Sequence, residues 1–403
     1  GAGGPEIAAG NVHGLGPGSV LAVLPEPTAD LQDAIGYVEV KSATAFRARL
    51  QPVAHEGKAA LANEEIKSGF YARLVQPKLN LELKVARPAE VSNPTAPEQA
   101  LLQALRAVAS SSANRVELRW LDPDEPADVR LLIAHDRLWF LPSSSASSPA
   151  DLSGNPSVEA AGSPEAISSR IAEALFKIAR VHTMLEAGTA LGAADQLGFE
   201  VSMSLRRAHY GDAPRPPNCA EAESEKPVPL ALSVVPELRQ CDVVDLQIRN
   251  VSDTPIDVTA LYIDSAYGVT ALYPKDADEG NRIVAGGVKR LPIEIRTLDA
   301  KGRTTTAGIE RVLFIAVKVR PGSQMVSFRF LEQPSLPVTK SDALQKRGLQ
   351  AASLIELLEQ AVYEPTRGPP VVLQNQIADN AISVVDLAVQ PEPNESRSRR
   401  VGP

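Results

Sequence analysis

The side chains that most often carry chemistry are sparse in this sequence. Its five histidines are His13, His55, His135, His182 and His209, and its two cysteines are Cys219 and Cys241. Zinc chemistry needs His and Cys donors at short fixed spacings, such as H-x-x-x-H or C-x-x-C, because one helical turn or tight loop must aim two donors at one ion. None of these spacings occurs, so no metal ligand, catalytic residue or cofactor-binding residue is assigned, and no cofactor is expected. A cysteine nucleophile needs a lowered thiol pKa and a base beside it. Cys219 lies in Pro217-Asn218-Cys219-Ala220-Glu221, and the glutamates at 221, 223 and 225 would raise its pKa. Cys241 begins an apolar strand and reads as a small buried residue. Two cysteines are too few for a disulfide framework and suit a reducing compartment; the alternative is a single bridge between them.

Other candidate motifs also fall short. Gly14-Leu15-Gly16-Pro17-Gly18 has the glycine content of a phosphate loop but lacks G-K-S/T and precedes a strand, not a helix whose N-terminus could hold an anion. Asp276, Asp278 and Glu279 do not follow the fixed ligand positions of a calcium loop and read as a solvated acidic turn. His182 sits at the edge of an apolar helical stripe, as a packed residue, and His135 at a hairpin tip.

The elements around these residues indicate a mainly β chain with some α structure (α+β) in several domains. A prior of about 100–200 residues per domain gives two to four over 403 residues. Residues 1–90 read as a small β domain, a barrel or sandwich: Val20–Leu24 is a short apolar run, Tyr37–Val40 alternates, 46–53 and 70–75 continue the style, and Leu79–Val85 alternates strictly with period two. Residues 91–210 read as an α+β domain. Thr95, Pro97 and Glu98 start a helix carrying Leu101, Leu102, Leu105 and Val108. Val116–Trp120 is a strand, and Val129–Ala134 with Leu138–Leu141 a hairpin. Residues 142–164, rich in Ser, Pro, Ala and Gly, read as a loop. A long helix over 164–187 follows, capped by Ser163, with Ile167, Ile171, Ala174, Leu175, Ile178, Val181 and Leu185 on one stripe and Gly188 ending it. This stripe predicts packing on the hairpin sheet.

Residues 211–227 read as a linker. Residues 228–335 predict an immunoglobulin-like sandwich, with strands over 243–248, 256–263, 269–273, 289–295, 312–319 and 326–330 and a turn over 250–255. Residues 336–403 predict a short helix capped by Ser353, a Pro/Gly turn over 364–370, a strand over 382–389 that can join one of the sheets, and a tail with Arg397, Arg399 and Arg400. The net charge of −8 argues against nucleic acid or an anionic membrane as partner. No stretch approaches the roughly 20 apolar residues of a membrane span. Gly1–Gly10 has no basic-then-apolar signal pattern and no initiator Met, which predicts a processed product or a fragment.

Several segments resemble the region that follows the protease domain in bacterial caspase-like (metacaspase-type) cysteine peptidases. The passage Ala9-Gly10-Asn11-Val12-His13-Gly14-Leu15 leading into Pro17-Gly18-Ser19-Val20 is similar to an "AG-x-x-HGL-x-x-GS" pattern there, and Gly36–Val40 follows it. Ala127-Asp128-Val129-Arg130, the helix around Ile178–Val181, and Leu246–Asn250 through Val269 to Tyr273-Pro274 continue the likeness over much of residues 9–274. The family's catalytic His stands in Ser/Thr-Gly-His-Gly, whereas His13-Gly14 follows Asn11-Val12. Its catalytic Cys follows an Asp in Asp-x-Cys, which neither cysteine here does. The resemblance therefore implies a non-catalytic regulatory or recognition region of a cytoplasmic bacterial peptidase, partnered with a caspase-like protease domain. The alternatives are a surface adhesion or scaffold sandwich, which predicts a Cys219–Cys241 disulfide and export, and a hydrolase with an unrecognised site.

Overall fold

The computed structural model describes residues 4–7, 9–10, 15–26, 29–44, 47–76, 81–111, 116–142, 152, 154–190, 198–209, 219, 223–276, 279–297, 308–319, 325–338, 371–374 and 380–390. The predicted helix at Ser353, the turn over 364–370 and the arginine tail lie outside these residues. The fold is mainly β with two α-helices, α1 (Ala96–Ser110) and α2 (Pro164–Ala190), among the described residues. The chain forms two compact units made of interleaved segments: 1–151, 157–187 and 340–378 in one, 152–156, 188–339 and 379–403 in the other.

The first unit holds a closed antiparallel barrel. Its order is Glu6–Ile7, Val371–Gln374, Tyr71–Gln76, Val20–Leu24, Gly36–Ala43 and Ala48–Val53, returning to Glu6–Ile7. Ile7, Leu21, Val23, Val38, Val40, Leu50 and Ala72 form its inner cluster. Val20, Ala22 and Leu24 belong to a second cluster with Ala29, Ala34 and Tyr37. Val20–Leu24 is thus buried on both faces, which is why its sequence is continuously apolar. Gly36 is required by packing: a Cβ there would stand 2.5 Å from Leu61 Cγ.

The same unit contains a five-stranded sheet in the order Ser157–Glu159, Arg137–Pro142, Val129–Ala134, Leu81–Ala86, Val116–Leu121. Two placements differ from the sequence reading. Leu81–Ala86, read with the barrel, runs parallel to both Val116–Leu121 and Val129–Ala134, with α1 as the crossover from it to Val116–Leu121. Strict alternation marked it as a strand but carried no information on which sheet it joins. Ser157–Glu159, inside the predicted 142–164 loop, pairs with Trp139, Leu138 and Arg137.

The helix starts follow their local chemistry. Thr95 Oγ1 accepts from the Glu98 backbone N–H at 3.3 Å, and the Glu98 carboxylate accepts from Thr95 N at 2.9 Å, a capping box. Ser163 Oγ accepts from Ala166 N at 3.3 Å and Pro164 opens α2. Gly188 does not end α2, which runs to Ala190. Ile167, Ile171, Ala174, Leu175, Ile178 and Val181 are buried as the stripe predicted. Ser168 Oγ of α2 donates to the Ala104 carbonyl of α1 at 3.4 Å, so α2 lies beside α1. His135 and Asp136 both have positive φ, 55° and 59°, the two-residue hairpin turn that fits strand twist.

The second unit contains a β-sandwich of two sheets. One sheet has the order Val228–Leu230, Phe199–Arg206, Val243–Asn250, Val288–Glu294; the other, Glu237–Leu238, Asn380–Val389, Gly308–Lys318, Ile256–Ile263, Val269–Tyr273. The core between them includes Leu246, Ile248, Val258, Ala260, Val312, Phe314 and Val385. Phe199–Arg206, read with the preceding domain, pairs with Val243–Asn250 over eight residues in register. Asn380–Val389 pairs with Gly308–Lys318 along ten. The turn over 250–255 is built on buried Asn250, whose Nδ2 donates to the Thr254 and Ile283 carbonyls at 2.8 and 3.0 Å.

Val326–Phe330, predicted as a strand, instead enters a 3-10 turn at Arg329–Leu331. Phe328 is buried while Val326 and Phe330 are exposed. Side chains of Ile256–Ile263 satisfy N–H groups of the segment: Asp257 accepts from Val326 N at 2.9 Å and Thr259 from Phe328 N at 3.1 Å.

Candidate functional site

The two cysteines meet. Cys219, read as part of a linker, is buried and forms a disulfide with Cys241, whose backbone is left-handed at φ 64°. Of the two readings open from the sequence, the single bridge is the one the structure has, and it ties Cys219 to the turn just before Val243–Asn250. Buried Gln240 holds the same turn. Its Oε1 accepts from Thr297 N at 2.7 Å and Thr297 Oγ1 at 3.2 Å. Next to it, buried Asp242 gathers the entry to the sandwich, accepting from Arg207 Nη1 at 2.7 Å, Ala208 N at 3.0 Å and Arg239 N at 3.0 Å. Arg207, Ala208, Glu237, Arg239 and Asp242 line a shallow hollow of about 330 Å³. The acid at its base is already used by the chain's own donors, so this cluster reads as a structural clasp.

Among the described residues the histidines do not converge. His13 lies outside the described residues. His55 rests edge-on against Tyr37 at 4.9 Å, and its backbone pairs with Lys58. His135 is at the hairpin tip, His182 half-buried on α2, and His209 opposite Glu223 in a two-residue pairing. Among the described residues no group of three His, Cys, Asp or Glu side chains is placed to hold a metal ion. Gly16 and Gly18 form the turn into Val20–Leu24, with Ser19 N donating to the Gly16 carbonyl at 2.9 Å. Of the acidic turn, Asp278 lies outside the described residues. Asp276 caps Glu279 N at 2.9 Å, and Glu279 accepts from Lys275 N at 2.7 Å and Lys289 Nζ at 2.8 Å. The Lys289 bond holds the Glu279 carboxyl below its ordinary range.

One group in the sandwich was not read from the sequence. Glu310, near the start of Gly308–Lys318, is 2% exposed. It shares the inward parity of Val312, Phe314 and Ala316 and so points between the sheets at their open end. The Tyr262 hydroxyl donates to its Oε2. Burial pushes the Glu310 carboxyl up to about 8, against a backbone hydrogen bond from Ser265 that lowers it. The cavity in front of it, about 300 Å³, is lined by Tyr262, Leu272, Ile293 and Val389, with Asp264, Glu294 and Arg296 at the rim. Arg296 Nε donates to Glu294 at 2.7 Å, while Asp264 accepts from Ala266 N at 2.9 Å and Gly268 N at 2.7 Å. A strand reading that began at 308 rather than 312 would have exposed the anomaly, an acid at an inward position.

No helix among the described residues is long and apolar enough to cross a membrane. No protein-family model, no curated protein and no solved structure matches the chain.

Proposed function

We propose that this chain is a non-catalytic recognition region, the regulatory part of a caspase-like cysteine peptidase that docks on the protease domain and controls activation or access of substrate. The observation that carries the non-catalytic part is the disulfide: with Cys219 bonded to Cys241, neither sulfur is a thiolate that could attack a peptide. The resemblance around residues 9–40 and 246–274 supports the family. The modular build supports docking, since the open five-stranded sheet and the sandwich sheets offer strand edges to which an extended peptide can pair. Reading the coding sequence upstream of Gly1 and isolating the native complex tests this. A His/Cys protease domain in the same frame, retained on this region after any cleavage, is the expected result. An upstream signal peptide with no protease domain overturns it.

The disulfide also favours a second reading. Such bonds persist mainly in oxidising compartments, which suits an exported scaffold or adhesion sandwich better than a cytoplasmic protein. Fractionation followed by thiol labelling without reductant separates the two.

A further inference from the structure

We propose that the open end of the sandwich is a binding site for a lysine side chain of a partner protein, with the ammonium seated at Glu310 and the aliphatic stem held between the sheets. The inference rests on the sandwich alone and not on the peptidase reading.

Three features of the cavity select this ligand. Its volume, about 300 Å³, is at the small end of ligand pockets (roughly 300–1,000 Å³), so it admits a side chain rather than a large cofactor. Its lining combines the aliphatic Leu272, Ile293, Ile295 and Val389, which suit a four-carbon stem, with the buried carboxyl group of Glu310. The acceptor geometry favours an ammonium over a guanidinium. Tyr262 already donates to Glu310 Oε2, which obstructs the two parallel bonds an arginine makes to a carboxylate, whereas an ammonium needs only a point contact.

The charged and titratable groups facing this space are Tyr262, Asp264, Glu294, Arg296 and Glu310. Arg296 is held by Glu294 at the rim, and Asp264 by two backbone N–H groups and the Ser335 hydroxyl. Arg311, the next residue in the strand, projects to the other face and pairs with Asp386 at 3.0 Å. Glu310 is protonated at neutral pH in the empty cavity, because burial disfavours its charge. An arriving ammonium restores the charged form, so binding expels one proton. Affinity then falls about tenfold for each pH unit below 8 and levels off above it.

The test is a calorimetric titration of the full chain with the capped peptide Ala-Lys-Ala between pH 6 and about 9, beside its norleucine and arginine counterparts. Saturable binding of the lysine peptide, proton release at neutral pH and the stated pH slope are expected. Glu310→Gln should lower affinity at least tenfold and abolish the slope. Leu272→Trp, which enlarges a lining side chain and leaves the carboxyl group in place, should block binding independently. Each variant is checked for an intact sandwich melting transition. Absence of saturation in the millimolar range, equal binding of the norleucine or arginine peptide, or unchanged binding by Glu310→Gln overturns the proposal.

Discussion

Removing the Cys219–Cys241 bond should destabilise the sandwich by an amount set by the loop it closes. The two cysteines are 22 positions apart. In the chain-entropy model, a cross-link over a loop of that length takes about 3 kcal/mol of entropy from the unfolded state. For a unit of about 150–250 residues each kcal/mol shifts Tm by roughly 2–4 °C, so a fall of about 6–12 °C is expected. Cys219→Ala/Cys241→Ala is the cleaner perturbation, because both sulfurs are buried and reductant reaches them slowly. Trp120 and Trp139 both belong to the other unit, so tryptophan fluorescence does not report the sandwich. Differential scanning calorimetry, with amide exchange of peptides across 219–250, follows it directly. Two titratable thiols in the native chain without reductant would refute the pairing. A double variant with unchanged Tm would refute the loop argument even if the bond exists.

Other perturbations have equally definite expectations. Phe314→Ala empties a fully buried site between the sheets and should cost about 3–5 kcal/mol in urea unfolding of the sandwich. Asp242→Ala removes the acceptor shared by Arg207, Ala208 and Arg239 and should cost on the order of 3 kcal/mol, with faster exchange at the amides of Ala208 and Arg239. Thr95→Ala deletes the α1 cap and should cost about 1 kcal/mol, seen as fraying of the first turn by exchange. Glu310 makes stability fall as pH rises. Its folded-state pKa of about 8 lies above the unfolded value, so between roughly pH 5 and 8 the folded chain holds a proton that the unfolded chain has released. This contributes a slope of about −1.4 kcal/mol per pH unit that Glu310→Gln should remove, measured by denaturant melts across that range.

Much of the local structure was legible because its causes are local. The Thr95 and Ser163 caps, the α2 stripe and the His135-Asp136 turn each depend on residues within a few positions of one another. The strands over 243–248, 256–263 and 269–273 were legible for the same reason, their period and flanking turns. The 326–330 segment misled because Val326, Phe328 and Phe330 alternate as a strand would, yet only Phe328 is buried. The site was less visible than the fold. Glu310 is one acid among the 49 Asp and Glu residues, and only its inward parity and its place at the open end of the sheets make it unusual.

What the sequence by itself determined is the mainly β character, the helix starts and the turns, all set by side-chain period and by short-range hydrogen bonds. Only the tertiary structure decided that Leu81–Ala86 leaves the barrel for the next sheet, that Phe199–Arg206 and Asn380–Val389 enclose one sandwich core, and that Cys219 returns to Cys241. Backbone ladder bonds are the same whichever strands form them, so period identifies a strand without naming its partner. The partner is chosen by how buried faces fit across long sequence separations, and the same packing drew two distant cysteines together and placed one acid at the mouth of an apolar core.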